Sequence, residues 1–273
     1  MKACPVCGGG TGTSGGLLRC RACGLAFRAE KYFGAPAYTP GIEEEIYVSA
    51  KGRLFTEALD SIGRLRSVKG RLLDIGCAGG ELLNAAAGRG WRCEGVEIDP
   101  ALAAKAAEAG FKVHVKPIES AGLDERSWAA VTVFEVFSQM ASPAAAAAEI
   151  NRLLEPGGIV YIREFNAAFH LPLRRLELAG VFKPLGASPA VIHNFNFSPR
   201  SLRVLLERAG FREIKIRNSR PTSGDPYRTG GRLGGLVTGL LKFLYYTLAQ
   251  ALWFASFGRV YAGSSLIVTA RKP

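Results

Sequence analysis

At 273 residues, with 48% hydrophobic content and a mean hydropathy of +0.12, the chain can bury one full α/β core plus a small appendage, and it is too apolar for wholesale disorder. Its formal net charge of +12 is unevenly placed: residues 1–150 carry 17 Lys/Arg and 17 Asp/Glu, whereas residues 151–273 carry 18 and 6. The basic second half implies an acidic partner, and anionic lipid headgroups, a phosphorylated substrate and RNA are weighed against a merely solvated face.

Met1 leads directly into Cys4-Pro-Val-Cys7 without an apolar segment, so no secretory signal is expected and the chain is read as cytoplasmic. Cys20-Arg-Ala-Cys23 repeats the knuckle beyond a Gly/Ser/Thr-rich hairpin. Cys4, Cys7, Cys20 and Cys23 at this spacing predict a closed tetrahedral zinc site, structural because no coordination position is left open. Such cysteine usage suits a reducing compartment. Residues 1–30 are too few to build a core, and metal binding would supply their folding energy. Residues 31–69 form a connecting region punctuated by Tyr32, Tyr38 and Tyr47, with a helix expected over Glu43–Leu65 that buries Leu54, Phe55, Leu59 and Ile62.

From residue 70, strand and helix signals alternate, which predicts a doubly wound parallel sheet. Strands are expected at Leu72–Asp74, Arg92–Glu97, Val113–Val115, Val131–Phe134 and Ile159–Arg163, then at Glu213–Arg217 and Leu266–Arg271. Ser142-Pro143 and Ser198-Pro199 each supply an N-cap followed by Pro at the first helical position. The first strand runs into Asp74-Ile-Gly76-Cys77-Ala-Gly79-Gly80 and Glu81 opens a helix, so backbone N–H groups of the turn can face a ligand. About twenty residues later Glu97 ends the next strand, placed to accept both hydroxyls of a ribose. The acid before the glycines would repel a phosphate, so a ligand with an ammonium group and a ribose suits this turn better than a dinucleotide.

LLDIGCAGG followed by GVEID resembles motifs I and II of class I S-adenosylmethionine-dependent methyltransferases, with Ala78 where the family pattern has its middle Gly. The resemblance implies a Rossmann-like sheet whose last strand is antiparallel, covering residues 70–218 and 263–273. It implies that Asp74 and the Gly76–Gly80 backbone, Cys77 and Gly79 included, hold the methionine end of S-adenosylmethionine. Glu97, Ile98 and Asp99 would take the ribose and adenine side, with Ile118 and Glu119 framing the adenine. After the fourth strand many relatives carry Glu-Val-Leu-Glu-His, but Ser138 and Gln139 stand here in place of the Glu-His pair and only Glu135 survives, which removes the most obvious base and argues against a catalytic metal. HNFNFSPRSLRVLLERAGF resembles the end of the family's domain, and His193 becomes the candidate general base, its alternative being a structural histidine bonded to the lid expected after Asn166. His170 is a weaker second, and His114 is read as structural.

Residues 219–262 are an insertion whose stretch 234–257 has Lys242 as its single charge. Both flanks return to one sheet, so a single membrane span is excluded. Three readings stay open: a buried helix roofing the site or a dimer interface, a helix in an anionic membrane surface with Arg228, Arg232 and Arg259 on headgroups, or a re-entrant hairpin. The expected activity is O-methylation of a small-molecule, sugar or lipid-linked glycan hydroxyl. RNA methylation and a noncatalytic membrane scaffold are the alternatives; no basic-aromatic stripe favours nucleic acid.

Overall fold

A computed structural model describes residues 2–31, 42–185, 188–222 and 231–273, with side chains over 42–50, 185 and 231–238 excepted. Tyr32, Tyr38 and Arg228 lie outside the described residues, as do the side chains of Tyr47 and Arg232.

The ribbon supplies β1 (Thr11–Ser14), β2 (Leu17–Cys20) and β3 (Ala26–Phe27), and α1 (Ile42–Leu65) follows. The alternating region gives β4 (Arg71–Ile75), α2 (Glu81–Ala87), β5 (Arg92–Val96), α3 (Pro100–Glu108), β6 (Lys112–His114), β7 (Trp128–Phe134), α4 (Pro143–Leu153) and β8 (Leu154–Phe165). Then come α5 (Ala167–Leu178), β9 (Phe195–Asn196), α6 (Pro199–Arg208), β10 (Arg212–Asn218), α7 (Gly231–Ala255) and β11 (Ser265–Arg271). The main sheet runs β10-β11-β8-β7-β4-β5-β6, parallel from β8 to β6, with β11 antiparallel to both neighbours. This is the expected α/β, Rossmann-like methyltransferase architecture.

The local reasons are visible. Every residue of β7 is buried, because helices cover both faces of a parallel sheet and leave no polar side to alternate with. Ser142 and Ser198 cap α4 and α6 as their Ser-Pro pairs predict, and Ser198 forms a reciprocal capping box with Ser201. Leu54, Phe55, Leu59 and Ile62 of α1 pack with Leu72, Phe134 and Tyr161 on one side of the sheet. β8 starts earlier than expected, at Leu154, because Leu154 already pairs with Trp128 of β7 before the register shifts and pairing resumes between Ile159 and Ala130.

Three features differ from expectation. The segment after Asn166, read as a lid, is a regular helix, α5, with Asn166 as its N-cap. The ribbon is not set apart: β3 pairs with β9, giving a second sheet β1-β2-β3-β9, and Phe27 stacks near Phe195 at 6.4 Å. The tail is one helix among the described residues, not a hairpin, and Ala249 alone of its described side chains is fully buried, so it is not a buried roof either. Among the described residues no helix is long and apolar enough to cross a membrane.

Candidate functional site

The turn after β4 is built around contacts that leave no room for side chains. Gly76 has φ +75°, and a Cβ there would lie 2.4 Å from Val136 Cγ2. The Gly76 and Cys77 N–H groups both donate to Val96 O, at 2.7 and 3.2 Å, fastening the turn to the end of β5. Ala78 takes a left-handed φ of +46° where the family pattern has Gly, a strain of roughly 1–2 kcal/mol for a side-chain-bearing residue. Its N–H donates to Glu97 Oε2 at 3.0 Å, and Asp99 N–H donates to Glu97 Oε1 at 2.9 Å. Glu97 thus holds the turn as well as facing it, with lone pairs left over for two further donors.

Asp74 is buried and accepts the Thr132 hydroxyl at 2.6 Å. Burial pushes its carboxyl up to about 7; the Thr132 bond and Lys51 oppose this, and Glu97 and Glu81 add to it. Three carboxylates around one turn suit a cationic ligand with hydroxyl groups, and a cation beside Asp74 would favour its ionised form. Ile98, 69% exposed, offers an apolar wall next to Glu97, and Glu119 is exposed on the short 3-10 turn Ile118–Ser120.

Three sequence-derived site residues turn out to be occupied elsewhere. Asp99 Oδ1 accepts from Ala101 N and Leu102 N at 2.8 and 3.1 Å, so this oxygen of its carboxylate caps α3. The Cys77 thiol points at Gly95, where a Cβ would sit 2.4 Å from the sulfur, leaving only the Cys77 backbone to the turn. Ile118 is buried in the main core instead of lying open beside Ile98.

Beyond β7 the structure assembles groups that the sequence left scattered. Glu135, at φ +62°, pairs with Lys51 at 2.8 Å and with Arg163. Arg163 also donates to Ser219 Oγ at 3.0 Å, tying the start of the insertion to the sheet. Ser138 N–H donates to Glu164 Oε2 at 3.1 Å, and its hydroxyl bonds His193 Nδ1 at 2.8 Å. Phe165 meets the His193 ring edge-on at 5.4 Å. Burial raises Glu164 to about 7 against the Phe165 and Ser138 bonds and Arg163, while burial and Arg28 lower His193. The Arg163-Glu164 pair at the end of an otherwise apolar strand was the signal for this cluster; Lys51 carried none.

His114 bonds Glu94 at 2.9 Å and lies away from these groups, as expected of a structural histidine. His170 is structural too: Nδ1 accepts Val191 N–H at 3.2 Å and Nε2–H donates to Ser264 O at 3.1 Å. Burial lowers it to about 4, whereas an unfolded imidazole titrates near 6.5. The unfolded chain therefore binds more protons between those values, so the His170 contribution is complete above pH ~6.5 and lost as pH falls towards ~4. In urea titrations the stability advantage of wild type over His170→Gln is expected to shrink by roughly 3 kcal/mol across that window; an unchanged difference would contradict the assignment.

The acid-flanked glycine turn at the carboxyl end of β4, with Glu97 just beyond β5, is the arrangement by which a Rossmann-like sheet holds a nucleoside-bearing ligand. The family model described as "Methyltransferase domain" matches residues 49–216, more than half of the chain. The chain belongs to this family, the class I S-adenosylmethionine-dependent methyltransferases, and is an enzyme of that kind. It is 28% identical over 182 residues to a ubiquinone biosynthesis O-methyltransferase of Xanthomonas axonopodis pv. citri, covering 62% of this chain and 73% of that one. The Burkholderia vietnamiensis protein of the same name is 32% identical over 103 residues, 35% of this chain and 44% of that one. Among solved structures, an S-adenosylmethionine-dependent methyltransferase from Archaeoglobus fulgidus superposes with a TM-score of 0.56 at 16% identity, covering 85% of this chain and 98% of that one. A possible histamine N-methyltransferase from Thermotoga maritima gives 0.53 at 18%, covering 85% and 94%. These two likenesses concern the fold.

Proposed function

We propose that the chain methylates a hydroxyl group of a small molecule, sugar or lipid-linked glycan, with His193 as general base. The observation that carries this reading is Ser138, whose N–H is held by Glu164 and whose hydroxyl bonds His193 Nδ1. Ser138 lies two residues along the loop from Val136, whose side chain sits against Gly76. With the Ser138 hydroxyl accepting from Nδ1–H, the Nε2 lone pair of His193 is left to take a proton. S-adenosylmethionine, when bound, supplies an electrophilic methyl group on a sulfonium. Asp74 and the turn backbone would hold its methionine end, Glu97 its ribose, and Ile98 and Glu119 its adenine. Relatives named ubiquinone biosynthesis O-methyltransferase support a hydroxyl acceptor. The same reading gives Cys4, Cys7, Cys20 and Cys23 a structural zinc. Their sulfurs lie within 4.8 Å of one another, with Cys4–Cys23 at 3.6 Å and Cys7–Cys20 at 3.4 Å. A tetrahedron of Zn–S bonds near 2.3 Å has edges of about 3.8 Å.

The test is methyl transfer from labelled S-adenosylmethionine to hydroxylated quinol precursors, nucleotide sugars, lipid-linked glycans and RNA, alongside calorimetry of cofactor binding. His193→Gln is expected to slow transfer by about 10²–10⁴-fold without weakening cofactor binding. Asp74→Ala and Glu97→Ala are expected to weaken that binding roughly 10- to 100-fold. Full activity of His193→Gln would remove the base assignment, and label passing to RNA alone would replace the acceptor class.

A further inference from the structure

The insertion leaves and re-enters the sheet at one edge. Asn218 pairs with Leu266, and Leu266 with Glu164, so α7 hangs from the carboxyl edge of β8 that carries the cluster of Glu164, Ser138 and His193. It is held there firmly. Asn218 Nδ2 donates to Ala249 O at 3.1 Å, Asn218 Oδ1 accepts Gly263 N–H at 3.0 Å, and Tyr245 rests on Phe169 with ring centroids 5.4 Å apart. The helix turns Ala249, Tyr246 and Lys242 inward, with Lys242 donating to Thr222 O at 3.3 Å.

The outward face is apolar. Leu240, Leu244 and Leu248 recur at four-residue spacing beside Phe243 and Phe254, all more than half exposed, and Phe257 just beyond the helix is 90% exposed. This inverts the usual surface helix, which shows water its polar side. Soluble single chains rarely leave so continuous an apolar strip uncovered. An open cleft of about 430 Å³ is lined by Arg200, Arg203 and Arg259 together with Tyr261, and among the described residues no acidic side chain lines it. Over residues 219–264 the sequence holds five basic residues and one acid, Asp225.

We propose that this face is a docking surface for an anionic phospholipid bilayer, with α7 lying in the interface plane and the three arginines on headgroup phosphates. Two observations select this occupant. The tethering of both helix ends to one sheet edge leaves α7 able to lie on a bilayer and unable to cross it. Arg200, Arg203 and Arg259 line one cleft with Tyr261, which suits headgroup phosphates, while the apolar strip suits acyl chains. A second copy of this chain is the competing occupant that the test separates. Docking in this pose brings the His193 edge of the sheet to the membrane, so the acceptor would be an amphiphile whose hydroxyl sits at headgroup depth. That consequence rests on the proposed methyl transfer; the docking itself does not.

The experiment is flotation of the full chain with vesicles of phosphatidylcholine alone or mixed with phosphatidylglycerol, with calorimetry of S-adenosylmethionine binding on the same samples. Wild type is expected to float with the mixed vesicles and less so as salt rises. Leu244→Gln/Leu248→Gln should stay in the soluble fraction. Arg200→Gln/Arg203→Gln/Arg259→Gln should bind roughly a hundredfold more weakly, at about fivefold per arginine. All these side chains are solvent-facing, so cofactor binding should be unchanged in every variant, which separates a failure of docking from a failure of the enzyme. Wild type remaining soluble with both vesicles would overturn the proposal. So would a wild-type dimer that the two Gln substitutions dissociate, because the face would then be an interface between copies.

Discussion

With zinc in the four-cysteine cluster as proposed, chelation is expected to unfold residues 2–31 and to loosen the segment around His193 with them. The ribbon has little apolar material of its own; Val6, Leu25 and Phe27 instead belong to the core that contains Phe195, Phe197 and Leu202. Its fold depends on the four sulfurs, and structural zinc in small modules is worth on the order of 10 kcal/mol. Three contacts transmit the loss: β3 pairs with β9, Arg28 N–H donates to Asn194 O at 2.9 Å, and Arg208 reaches Cys7 O at 3.4 Å. His193 lies two residues before β9, its N–H donating to Asn196 Oδ1 at 3.1 Å. Hydrogen exchange after chelation, or in Cys20→Ser, is expected to lose protection at Phe27 and Phe195 while β4 and β7 stay protected. Exchange unchanged after complete metal removal would show that the ribbon stands without it.

Glu135→Ala is expected to destabilise the whole domain by about 3–5 kcal/mol, because it removes the carboxylate shared by two buried cations, Lys51 and Arg163. For a domain of this size that is a fall in Tm of roughly 10 °C. The electrostatic cause is separable from lost packing: Glu135→Gln/Arg163→Met keeps the volume and deletes one cation, so it should recover part of the loss shown by Glu135→Gln. Thermal unfolding of the three variants decides this. A cost below about 1 kcal/mol for Glu135→Ala would mean that other groups already compensate the two cations.

Much of the fold was legible because it is written in neighbouring residues. The apolar runs around Leu72 and Val131, the Ser142-Pro143 and Ser198-Pro199 caps and the glycines after Asp74 act over one strand or one turn, where steric and hydrogen-bonding rules are local. Asp99 shows the limit of motif reasoning: the same residue that completes the family pattern precedes Pro100, and capping α3 satisfies two otherwise orphaned N–H groups. The loss of the Glu-His pair after β7 reads in the sequence as a loss of chemistry. In space the hydroxyl of Ser138 restores a partner for His193, 55 residues away.

The sequence alone determined the class of enzyme, the acid-flanked glycine turn, Glu97 on the next strand and the four-cysteine knuckles, since each depends on spacing along the chain. Tertiary structure decided which groups meet across it. Ser138 with His193 and Glu164, Glu135 with Lys51 and Arg163, and the ribbon with β9 all join residues whose separation no local rule encodes. It also decided which side of α7 faces water, because a helix with apolar residues all around carries no periodicity from which its packed face can be read.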